Sequence, residues 1–244
     1  MFYPGHMIKA RILGLVLTAA AMVTACASPP TARDPEATVP LKRVDEIPKT
    51  LAILPFENNS VTDAERFEPL SRGLAAMLIT DLQQSGTTVK IIERERIQAL
   101  LKEIALGQSG VLDQETAVEV GRILGAQTIA FGSFMVLLDQ VRIDVRIVKV
   151  ETSEMLMADS ITGRSGEFIG LQQDLARRIG RSLRIPLEAP AAGAGGGDIG
   201  AALCFSRGLD ALDRGDKAEA RRLFDQAVAL DPGYRSQVAN LKGL

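Results

Sequence analysis

The heptapeptide VRIDVRI, residues 141–147, constrains this chain more than any other stretch. Val141, Ile143, Val145 and Ile147 alternate with Arg142, Asp144 and Arg146. Successive side chains of a strand point to opposite faces, so this period of two describes a strand with one face buried and the other wet. Antiparallel sheets allow that arrangement; fully covered parallel sheets do not. EMLMADSI, residues 154–161, follows across a turn at residues 151–153 and is expected to pair with it. Upstream, TLAILPF (50–56), VKIIE (89–93) and QTIAFGSFMVLL (127–138) are apolar runs of strand length. Helical spacing separates them: Leu70, Leu74, Met77, Leu78 and Leu82, then Ile97, Leu100, Leu101 and Ile104, then Ala117, Val120, Gly121 and Leu124. A last stripe holds Phe168, Leu171, Leu175, Ile179 and Leu183. The expectation for residues 50–185 is an α+β fold, a mixed β-sheet packed with helices. Trp is absent and aromatics are 4%, so Leu, Ile, Val, Ala and Met must build the core.

Residues 1–25 have the pattern of a lipoprotein signal peptide. Lys9 and Arg11 precede an apolar run at residues 12–23, which is too short for a comfortable membrane span. Val23-Thr24-Ala25-Cys26 resembles a bacterial lipobox, which makes Cys26 the lipidation site and first mature residue, carrying acyl chains such as palmitate. A plain secretory leader with a coincidental cysteine is the alternative. Each buried methylene contributes about 0.8 kcal/mol, so several chains anchor the protein to a bilayer. Ala27 and Ser28 follow with no Asp, a sorting pattern that favours the periplasmic face of the outer membrane. Residues 26–49 contain Pro29, Pro30, Pro35, Pro40 and Pro48 and are expected to form a semi-extended tether.

Cleavage also removes the only histidine, His6, and takes the net charge from −2 to −4 through loss of Lys9 and Arg11. The mature chain then has one cysteine besides Cys26, Cys204, and cannot build a His-based triad, a His-ligated metal site or a CxxC pair. No catalytic residue, metal or cofactor is expected, so the chain is read as a non-enzyme without a small-molecule substrate. Its acidic balance argues against nucleic acid as a partner.

Residues 186–200, PLEAPAAGAGGGDIG, are expected to be a flexible linker; the GAGGGD within them lacks the Lys-Ser/Thr and the preceding strand of a phosphate loop. Residues 201–244 are expected to form a small helical hairpin of tetratricopeptide (TPR) type. Gly208, Ala220, Phe224, Ala227 and Pro232 stand at that repeat's spacing, with Ala220 and Phe224 at a close helix crossing. One repeat cannot bury its own faces, so it must pack on the main domain, self-associate or meet a partner. Arg177, Arg178, Arg181 and Arg184 lie on the outer side of the last domain helix. They form either a solvated face or a contact for anionic lipid or an acidic partner.

Taken in order, TLAILPFENNS, LSRGLAAMLITDLQQSG, VKIIERERIQALLKE, LGQSGVLDQETAVEVGRILGAQTIAFGS and VRIDVRIVKVETSEML resemble the CsgG/HfaB family of outer-membrane lipoproteins. That resemblance, over residues 50–185, implies a periplasmic α+β domain in curli production, assembly and transport, which in some members forms a homo-oligomeric secretion ring. Channel-forming members carry two long membrane-spanning hairpins. This chain has only LLDQVR and SITGRSGE at those places, and a transmembrane strand needs about 9–11 residues. The expected role is a scaffold or accessory factor with envelope protein partners, in assembly or secretion of surface structures of curli or adhesin type. A tethered adaptor that regulates a cell-wall enzyme is the alternative, and a secretion channel a third.

Overall fold

The computed structural model describes residues 47–104, 113–187, 197, 199–241 and 243–244. They all fall in one compact unit, residues 40–244. Cys26, the tether up to residue 46, the GQSG loop and most of the expected linker lie outside the described residues.

The sheet is mixed and the fold is α+β, as the sequence patterning implies. The strands are β1 (Thr50–Ile53), β2 (Glu57–Asn58), β3 (Lys90–Ile91), β4 (Thr128–Leu137), β5 (Gln140–Lys149) and β6 (Met155–Arg164). They run in the order β3-β1-β4-β5-β6, with β2 also pairing β4. β1 lies parallel to both β3 and β4, while β4, β5 and β6 form an antiparallel meander. The polar ENNS segment contributes β2, which continues along β4 beyond β1. Pro55 separates the two pieces, consistent with a residue that cannot donate to a ladder.

The alternation in VRIDVRI is observed directly. Val141, Ile143, Val145 and Ile147 are all fully buried, and burying such a side chain contributes roughly 1.5–3 kcal/mol. Arg142 and Asp144 are half-buried and Arg146 is exposed on the other face. β6 pairs with β5 as expected, but a register shift at Ile147/Val148 leaves Leu156 unopposed. A bulge of this kind flips the alternation. Met157, opposite Ile147, is therefore buried, whereas Met155, opposite Val148, is 38% exposed.

Helices α1 (Ala64–Phe67), α2 (Leu70–Gln84), α3 (Arg94–Glu103), α4 (Gln114–Leu124) and α5 (Phe168–Leu183) complete the domain. α4 is stopped at both ends by local chemistry. Asp113 accepts from the Thr116 N–H at 2.8 Å, and Gly125 closes the helix at φ 66°, where a side chain would be strained. α4 covers the outer face, since Gly121 faces the Val150 and Ile129 side chains so closely that a Cβ would stand 2.7 Å from Val150. α5 lies on the apolar inner face beside α2, with Leu171 set over Gly163.

The C-terminal helices are α6 (Ile199–Asp213), α7 (Lys217–Leu230) and the short α8 (Tyr234–Ala239). α6 and α7 form an antiparallel hairpin, and α6 packs along α2 as a further layer on the inner side. The helical tail is therefore docked on the main domain, through α2 and α5.

Candidate functional site

The candidate site is the seam where the helical tail meets α2, α3 and α5. At its centre the α6–α7 crossing is tight: Gly208 is buried under Phe224, where a Cβ would stand 2.5 Å from the ring. Ala220, Phe224 and Ala227 are buried with it, and Pro232 is exposed after α7. Phe205 links the Phe224 ring, at 5.6 Å, to that of Tyr234, at 5.4 Å, forming one tilted aromatic cluster. Gly208, Ala220, Phe224 and Ala227 are thus packed at the hairpin crossing, and Pro232 is not. Cys204 is half-buried with a free thiol.

The seam itself uses residues that the spacing does not nominate. Gly73 of α2 faces Ser206 of α6 with no room for a Cβ. Arg72 pairs with Asp210 at 2.8 Å. Arg94, with only 8% of its side chain exposed, donates to both oxygens of Asp213 at 2.9 and 2.8 Å. Deeper in, Asp81 of α2 accepts from Gln172 of α5 at 2.9 Å and from Gln237 of α8 at 2.6 Å. Burial raises the Asp81 pKa against the pull of those two amides and of the Arg177 charge. Desolvation raises Asp210 as well, opposing the Arg72 guanidinium. Tyr234 is pushed far up by burial first, and then by the Asp231 and Asp81 carboxylates.

Arg177, Arg178 and Arg181 of α5, with Arg184 just past its end, are not one free cationic patch. Arg177 donates to Asp174 at 3.2 Å, and Arg178 donates to Asp174 and to both oxygens of Asp159 at 3.2 Å. Arg181 and Arg184 are exposed. A second cationic feature lies at the hairpin, a cleft of about 280 Å³ lined by Arg207, Asp210, Arg214, Glu219, Arg222 and Leu223. Within it Glu219 holds Arg222 through two bonds, at 2.7 and 2.6 Å, and is itself shifted down by that contact. Among the described residues no group of three or more His, Cys, Asp or Glu side chains is placed to hold a metal. The arrangement suits protein contact: a docked hairpin, a buried polar clasp and charged rims.

This α+β class, with a helical hairpin docked on it, can be compared with known proteins. Residues 19–137 match the family described as curli production assembly/transport component CsgG. The matched span, just under half of the chain, ends with β4. No curated protein matches the chain. Among solved structures, the LpoB C-terminal domain from Salmonella enterica is similar at 13% identity, covering 50% of this chain and 87% of that one with TM-score 0.35. Lipoprotein GNA1162 from Neisseria meningitidis is similar at 15% identity, over 56% and 99% of the two chains, with TM-score 0.38. The PelC dodecamer from Paraburkholderia phytofirmans gives 14% identity over 57% and 89%, with TM-score 0.34. No helix among the described residues is long and apolar enough to cross a membrane.

Proposed function

We propose that this protein is a periplasmic lipoprotein without catalytic activity, anchored in the outer membrane through Cys26. It acts as a scaffold or accessory factor in the assembly or secretion of cell-surface structures. The family match over residues 19–137 carries this reading, because that family is described by curli assembly and transport. The leader and the Pro-rich residues 26–49 supply the anchor and reach. Supporting a scaffold over a pore, β4 and β5 are joined by the two residues Leu138-Asp139, and β6 leads into α5 through a single turn at Ser165–Glu167. The docked α6–α7 hairpin adds a second face, and its charged cleft is a candidate contact for envelope protein partners.

The native mass of the lipidated, full-length protein in mild detergent tests this. An assembly of many subunits favours the platform. A monomer or dimer would sink a ring and favour the second reading, a tethered adaptor for a cell-wall enzyme, which the five prolines between residues 26 and 49 support. Conductance from the purified protein would revive a channel.

A further inference from the structure

β6 is an edge strand: among the described strands it pairs with β5 alone. Such an edge presents unpaired N–H and C=O groups and invites pairing with another chain. β6 is ten residues long and contains no proline. In an antiparallel ladder, residues alternate between those bonded across to the neighbour and those whose N–H and C=O both point away.

Ser160 is of the second kind. Its N–H donates to Asp159 Oδ1 at 2.7 Å, and its carbonyl accepts from Arg178 Nη1 at 3.4 Å. Ala158 and Thr162 share its phase, since the register sets Arg146 opposite Ala158, Asp144 opposite Ser160 and Arg142 opposite Thr162. Both are exposed. The carboxylate and guanidinium that satisfy Ser160 also bind each other at 3.2 Å. Asp159 opposes Val145 on the apolar face of the sheet, where packing alone favours a hydrocarbon side chain. Its acid and the Arg178 reach from α5 therefore serve the middle of the edge, closing the outward backbone position between Ala158 and Thr162.

We propose that the Asp159–Arg178 pair is a plug on the β6 edge that keeps this chain from extending its sheet through β6 of a second copy. A second copy is the fitting occupant because β6 is self-complementary. Paired antiparallel about a two-fold axis through Ser160, which sets outward residues against outward residues, it places Ser160 against Ser160, Ala158 against Thr162, Asp159 against Ile161 and Arg164 against Leu156. No like charges meet, and a two-fold contact of this kind closes on itself.

The test compares the native mass of the full-length wild-type protein with that of Asp159→Ala/Arg178→Ala under the same detergent conditions. The expected result is a doubling of the wild-type mass in the double variant. Adding Thr162→Pro, which removes an outward N–H at an edge that tolerates proline, should restore the wild-type mass. A folded double variant that keeps the wild-type mass overturns the proposal, and so does association that survives Thr162→Pro. If the double variant does not fold, amide exchange in the wild type decides. The Ser160 amide should exchange at least about ten-fold more slowly than those of Ala158 and Thr162; equal exchange at all three overturns the plug.

Discussion

At the scale of single residues, Gly208 and Asp81 carry the clearest consequences. Gly208 stands under a Phe224 ring that is itself 1% exposed and backed by Phe205, so the ring has little freedom to retreat. Gly208→Val is expected to lower stability by about 2–3 kcal/mol through overpacking, read as a lower urea midpoint. An unchanged midpoint would mean that the crossing is looser than described. Asp81 behaves oppositely to a surface carboxylate. Its pKa is raised above the unfolded value, so folding favours its protonated form. Its contribution is then least favourable at neutral pH and improves as pH falls through the raised folded value. It stops changing below the unfolded value of about 3.9. Asp81→Asn should remove that slope and match or exceed wild-type stability at pH 7. The amide oxygens of Gln172 and Gln237 are buried without partners, so one amide can turn to accept from the new carboxamide. Unfolding free energies across pH 4–7 check this; a wild-type-like slope in the variant would refute it.

At the scale of elements, the contact between α3 and α6 depends on a buried cation, Arg94. Asp213→Asn strands the Arg94 guanidinium, leaving it only the exposed Glu95 at 3.2 Å. Arg94→Met instead leaves Asp213 with part of its side chain in water. The first is expected to cost about 2 kcal/mol and the second under about 1 kcal/mol, because an unpaired buried charge is worse than none. Equal losses in paired urea titrations would contradict that asymmetry. Part of this seam was legible. Residues 73–80, GLAAMLIT, contain no charge over two helical turns, the mark of a helix covered on more than one side. The stripe Leu70, Leu74, Met77, Leu78 and Leu82 accounts for the sheet-facing side alone, and Gly73, Ala76 and Thr80 are buried as well. Which chain segment covers the second side is a contact distant in sequence, and no period within α2 encodes it.

At the scale of the whole molecule, the anchor and the assembly are the testable properties. Cys26→Ser should abolish incorporation of labelled palmitate and move the protein from membranes to the soluble fraction. Retention in the membrane fraction after salt wash would place the anchor elsewhere. Residues 141–147 and the helical stripes sufficed for the α+β class, because periodicity is a property of neighbouring residues; Gly208, Ala220, Phe224 and Ala227 are buried at the α6–α7 crossing, while Pro232 is exposed. Spacing also placed Arg177, Arg178 and Arg181 together on α5, with Arg184 at its end, but it carried no information about what lies opposite them. Only the folded chain brings Asp159 of β6 to Arg178, Asp213 to Arg94, and Gln172 and Gln237 to Asp81. Those pairings decide which charges are spent inside the molecule, because a charge is neutralised or exposed according to partners far along the chain.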